Sequence, residues 1–169
     1  LLDARFSPFD GEMDYLMLKK GSADINTIKS VESALNVVFP KDFKFFLINF
    51  DLNSFSLGSI TFGNGDCYIE KIRQLNAENE LSQWWGEGKR PSDLLAIAYN
   101  DPYTVFLNVE NGEVYAATPE SGFEELKPIA QNFTLFFRGV GSVFLGRSSV
   151  SYAEAEAGSE CKEFWNSMA

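Results

Sequence analysis

The chain has 169 residues, 45% of them apolar and 16 of them Phe, which is enough to bury one core in a single domain spanning residues 1–169. Acidic residues outnumber basic ones by 24 to 14, a formal charge of -10, and this argues against a nucleic-acid partner, because phosphate recognition needs a basic footprint. Histidine is absent, which removes imidazole acid–base catalysis, the His-dependent Ser and Cys nucleophiles and the commonest zinc ligand.

Residues 1–21 are mixed, with turn formers in "SPFDGE" and a short strand expected in "YLMLKK". Ser22 or Asp24 can cap a helix, after which Ile25, Ile28, Val31, Leu35 and Val38 recur at helical spacing. Phe39-Pro40 interrupts it, since proline disfavours helical geometry in the residue before it. Pro40 suits the start of a second helix whose core stripe is Phe43, Phe46, Leu47 and Phe50. From Leu57 the pattern changes to the short β-rich runs "LGSITFG" and "DCYIEK" around a Gly63–Asp66 turn. The polar segment ending in Trp84-Trp85 reads as a helix or structured connection, and "GEGKRPSD" as a loop.

Three strands are expected next, "LLAIAYN", "YTVFLNV" and "EVYAAT", separated by Asp101-Pro102 and Asn111-Gly112. Asn-Gly signals a two-residue primed turn, in which Glu110 and Glu113 would stand opposite each other despite their like charge. "PESGFEEL" reads as an acidic loop. Leu126, Ile129, Ala130, Phe133, Phe137 and Val140 then trace a helical stripe, with Pro128 near its start. "SYAEAEAGSECKEFW" predicts a terminal helix that Gly158 weakens or breaks. Helices segregated from strands joined by tight turns indicate an α+β fold: a twisted antiparallel sheet of about five strands with helices mainly on one face.

No stretch approaches the ~20 apolar residues of a membrane-spanning helix, and none has the layout of a secretory leader. Cys67 and Cys161 lie far apart without metal-ligand spacing and are expected to be reduced thiols of a cytoplasmic protein, Cys67 as a small strand residue. "GNGD" and "GVGSVFLG" read as a turn and a helix end, because neither follows the phosphate-loop or dinucleotide pattern. No dense oxygen-ligand loop predicts calcium, so no metal and no cofactor are expected. The sequon "NFT" at 132–134 falls on a core helix and is discounted. Glu124-Glu125, Glu110 with Glu113, and Asp101 are the carboxylates that a histidine-free hydrolase would use, but all sit in predicted turns, and solvated surface is the better reading. No catalytic residue is assigned.

Binding residues are a different matter. Adjacent tryptophans cannot both face one core, so either Trp84 or Trp85 is expected to be partly exposed, as a contact residue or as an edge cap on the core. Strand alternation puts Val105, Leu107, Val109, Val114 and Ala116 on a helix-covered face. Phe106, Asn108, Glu110, Glu113 and Tyr115 share the other face, either as aromatic anchors in an acidic rim or with the two rings covered by another helix. Asp101 and Tyr103, at the preceding turn, complete the candidate partner-binding set, although Tyr103 also suits a packed strand start.

The order "INTIKSVESALNVVFPKDFKFFLINFD", "LLAIAYNDPYTVFLNVENGEVYAAT", "PIAQNFTLFFRGV" resembles the SUKH superfamily in its Smi/Knr-like branch, over about residues 22–141. The landmarks are Glu32, Phe39-Pro40, Phe43, Ile97-Ala98, Tyr103, Asn111-Gly112, Val114-Tyr115 and Ile129-Ala130 with Phe133. Asn36 departs from the pattern, standing where a Gly is usual, and Phe39 replaces a Leu. The resemblance implies an α+β fold and a non-enzymatic role, chiefly that of bacterial immunity proteins that bind and neutralise a cognate toxin. The runner-up that it implies is a regulatory adaptor, as in some relatives linked to cell-wall glucan synthesis. The acidic surplus suits a basic toxin domain, such as a nuclease with a basic substrate groove.

Overall fold

The computed structural model describes residues 14–21, 23–65, 67–77, 90–123 and 126–168. Helix α1 (Ile25–Leu35) begins where the sequence offers an oxygen cap: the Asp24 side chain accepts the Asn26 backbone N–H at 3.1 Å. It stops short of Val38 because Asn36 turns left-handed, φ 52°, and closes the helix with its own N–H. Val38 therefore leaves the predicted stripe and is 69% exposed. The elbow that follows is held by Glu32, which accepts the Phe39 N–H at 2.6 Å and pairs with Lys44 at 2.8 Å. Pro40 caps α2 (Lys41–Asn49), which buries Phe43, Phe46 and Leu47 as its spacing predicts. Phe50 already belongs to β2 (Phe50–Asp51), paired with β1 (Lys19–Lys20); the rest of "YLMLKK" is a short 3-10 turn and coil.

Among the described residues, six strands form one antiparallel sheet in chain order: β3 (Ser56–Leu57), β4 (Ile60–Thr61), β5 (Leu94–Asn100), β6 (Tyr103–Asn108), β7 (Val114–Ala117) and β8 (Pro128–Ala130). The fold is α+β. "DCYIEK" is not a strand run: α3 (Tyr68–Asn76) starts inside it. Its first amide, Tyr68 N–H, donates to the Asn53 side chain at 2.8 Å, a cap from a separate segment that local pattern does not reveal. Cys67 accordingly stands exposed before a helix rather than within a strand.

Ile129 and Ala130 also change element. They form β8, and α4 (Phe133–Phe144) begins only after Asn132, whose side chain accepts the Leu135 N–H at 2.9 Å. The glycines of "GVGSVFLG" do not simply end the helix. Gly139 lies inside α4 because the Trp165 ring packs so close that a Cβ would sit 2.6 Å from it. Gly158, left-handed, splits the terminal segment into α5 (Val150–Ala157) and α6 (Lys162–Asn166).

The helices cover one face of the sheet. Leu95, Ile97, Val105, Leu107 and Val114 project into a core whose other wall is aromatic. Phe46 lies 4.6 Å from Phe137 and 5.0 Å from Phe133, and Phe133 lies 4.8 Å from Phe43, ring centre to ring centre. The β8 edge is closed as well: the Glu160 N–H donates to Pro128 O at 2.8 Å, and Trp165 Nε1 donates to Ile129 O at 3.0 Å. Strand addition at that edge is blocked.

Candidate binding face

The face turned away from the helices is where the predicted binding residues should gather, and the structure separates them. Phe106 pairs with Tyr115 and Leu107 with Val114, so Asn108 stands opposite Glu113 and residues 109–112 form a four-residue loop. The expected two-residue Asn-Gly turn, with Glu110 opposite Glu113, is therefore not formed. Only Gly112 takes positive φ, 82°, and Asn111 does not. Asn108 decides this. Its side-chain oxygen accepts the N–H of Glu110 at 2.9 Å and of Asn111 at 3.1 Å, while its backbone carbonyl accepts that of Gly112 at 3.0 Å.

The wider loop disposes of the charge conflict. Glu113 accepts the Tyr115 hydroxyl at 2.5 Å and the Asn111 amide at 2.7 Å, while Glu110 points to solvent. Asn108 donates to Asp93 at 2.7 Å, which brings a third carboxylate to this end of the sheet. Burial, and then the neighbouring Glu113 carboxylate, push the Tyr115 phenol above its ordinary pKa.

Phe106 is not available as an anchor. It is 1% exposed, in a small second cluster with Leu94, Ala96 and Ala117, and the Phe123 ring lies 5.5 Å from its own. The cover comes from the segment between β7 and β8, Phe123 and Leu126, together with Leu75 of α3, and not from a further helix laid across the sheet. Tyr115 is half-buried against the same cluster. Tyr103 lies on the opposite, helix-covered face, its ring 5.4 Å from Phe164. Asp101 is exposed in the Asp101-Pro102 turn, whose peptide is cis, at the far end of β6 from Glu110. Trp84, Trp85, Glu124 and Glu125 lie outside the described residues.

Three side chains that matter here escape sequence reading. Asn76, buried at the end of α3, donates to Ala96 O at 2.9 Å and accepts the Ala96 N–H at 2.8 Å, taking the place of a neighbouring strand. Tyr68, from the start of α3, donates its hydroxyl to Ile97 O at 2.7 Å, and its burial raises the phenol pKa well above the ordinary value. Between Ala96 and Ala98 the β5–β6 register shifts by a bulge, and beyond it Tyr99 emerges on the open face. No local signal in "LLAIAYN" marks that shift.

Elsewhere a cleft of about 390 Å³ opens between β1, β2 and the starts of α1 and α3. Its carboxylates serve local structure: Asp24 caps α1 and Asp51 accepts the Asn53 N–H at 2.8 Å. Among the described residues no three His, Cys, Asp or Glu side chains converge as a metal site, and no helix is long and apolar enough to cross a membrane.

Residues 22–139 match the model of the SMI1 / KNR4 family (SUKH-1). The chain belongs to that family. No curated protein matches it. Membership of the SMI1/KNR4 family supports a binding role of the immunity-protein or Smi1/Knr4-like kind. The landmarks that carry the SMI1/KNR4 resemblance turn out to be framework. Glu32 fastens the elbow, Ile97-Ala98 is the bulge, and Ile129-Ala130 is the covered edge strand. Asn36, where a Gly is usual, takes the left-handed cap conformation that Asn tolerates best after Gly.

Proposed function

We propose that this chain is a cytoplasmic, non-enzymatic immunity protein that neutralises a cognate bacterial toxin by binding it directly through the open face of the sheet. The observation that carries the reading is the set of carboxylates at one end of that face. Asp93, Glu110 and Glu113 surround a rigid hairpin on a chain of charge -10. A basic toxin domain, such as a nuclease groove shaped for phosphate, is the complementary surface, and matched charge raises the rate of encounter more than the final affinity. Tyr115 and Glu113, tied to each other, give that rim fixed geometry.

The test is to look for a toxin-like reading frame flanking the gene and to co-express its product with this chain, followed by co-purification and assay of toxin activity. A stable complex that abolishes toxicity supports the reading; no complex and undiminished toxicity reject it. Glu110→Lys should slow association several-fold, more strongly at low salt, with the dissociation rate nearly unchanged. Association at the wild-type rate would remove the hairpin carboxylates from the interface.

A further inference from the structure

The open face has a second end, and its construction is unusual. Plain alternation along β5 from Leu94, which belongs to the open-face cluster, would put Ala96, Ala98 and Asn100 on the open face. Leu95, Ile97 and Tyr99 would then face the helices. That arrangement would leave an amide in water and a tyrosine in the core, as transfer energetics favour.

The bulge reverses it. Ile97 and Ala98 both pack in the helix-side core. Asn100 follows them inward and is 6% exposed, while Tyr99 turns out and is 42% exposed. The inversion carries a cost: Asn100 Nδ2 is the buried side-chain polar atom with no hydrogen-bond partner among the described residues. Nor is the bulge slack. Both hydrogen bonds of the Asn76 amide to Ala96, and that of the Tyr68 hydroxyl to Ile97 O, hold the two residues at its start. Two buried polar side chains of α3 thus maintain a register that exposes a tyrosine and orphans an amide.

The described residues in register with Tyr99 across the sheet carry no charge. Ser56 pairs with Thr61, Thr61 with Tyr99, and Tyr99 with Thr104, so one row crosses four strands with hydroxyl side chains flanking a single ring. Ser56 Oγ lies 3.3 Å from Thr61 Oγ1, which places both on the same side. The next same-side row contains Ala96, Phe106 and Tyr115, about 7 Å away by strand geometry. One interface of ordinary size therefore spans the row and the acidic hairpin together.

We propose that Tyr99 is the anchor of the partner interface: the bulge aims it into a basic protein partner, while Asp101 at this end and Glu110 and Glu113 at the other form the acidic rim. This rests on the immunity reading and adds where the binding energy concentrates. An exposed ring on a strand of the sheet, flanked along its row by the hydroxyl side chains of Thr61 and Thr104, suits a hot spot; Tyr115 is tethered and half-buried and does not.

The experiment titrates the catalytically inactivated product of a toxin-like reading frame flanking the gene into wild-type protein and into Tyr99→Ala, Thr104→Arg and Tyr115→Ala, with thermal unfolding of each. Tyr99→Ala should weaken binding about 30-fold at an unchanged melting temperature. Thr104→Arg, which sets a cation against a basic partner, should weaken it at least as much, and Tyr115→Ala by less than about threefold. If wild-type protein binds and Tyr99→Ala binds within about threefold of it, the anchor assignment fails and the immunity reading stands. If Tyr99→Ala does not fold, wild-type affinity in Thr104→Arg overturns the assignment alone. If wild-type protein does not bind, the immunity reading fails and the anchor with it. A wild-type homodimer in sedimentation that Tyr99→Ala dissolves would make the occupant a second copy and overturn the basic partner.

Discussion

The two faces of the sheet obey different rules. On the helix side nearly every inward residue is apolar and buried, and the aromatic rings of α2 and α4 close against one another. On the open side a few apolar residues are covered by Phe123 and Leu126, carboxylates hold one end, and Tyr99 is exposed at the other. Both faces belong to the same strands, so strand propensity does not account for the difference. A face covered by helices can be packed to the density of a crystal, whereas a face left partly open to solvent forgoes that stabilisation.

Truncation should measure how unequal the faces are. Phe133→Ala removes a ring that is fully buried and meets Phe43, Phe46, Phe62 and Phe137, and should cost about 4 kcal/mol in urea denaturation. Phe106→Ala opens the smaller cluster and should cost less, about 3 kcal/mol. Equal losses would mean that the open-face cluster is a full core, and the contrast between faces would fail.

Gly112→Val probes the hairpin that presents the carboxylates. A β-branched side chain resists the left-handed backbone at φ 82°, so folding should be destabilised by roughly 1 kcal/mol or more and the denaturation midpoint should fall, although open space surrounds the position. An unchanged midpoint would contradict the loop geometry. The smallest effect has the opposite sign. Asn100→Leu replaces the unpartnered amide with an apolar side chain of similar size and should stabilise the fold by about 1 kcal/mol. Destabilisation would show that Asn100 has a partner and that the inverted register of β5 costs nothing.

Much of the chain was legible residue by residue. Asp24 before a 3.6-residue stripe, Phe39-Pro40 between two such stripes, and alternation in "YTVFLNV" and "EVYAAT" each act through neighbours within one or two turns. The helix-covered set of Val105, Leu107, Val114 and Ala116 follows from the same alternation. Of the candidate binding residues, the exposure of Asp101 and Glu110 was legible because turn tips lie in water.

What the sequence by itself determined is therefore the local grammar: helix starts and stops, the apolar stripes, the absence of imidazole chemistry, the acidic charge and the family landmarks. The tertiary structure alone decided which distant contacts cap, cover or redirect these elements. The start of α3 depends on a cap from Asn53, the burial of Phe106 on a segment that returns from beyond β7, and the width of the hairpin on which atoms Asn108 reaches. The direction of Tyr99 depends on a one-residue bulge held by Asn76 and Tyr68, about twenty and thirty positions earlier in the chain. Side-chain alternation has period two, so one inserted residue reverses every later assignment in a strand, and only contacts distant in sequence determine whether it is inserted.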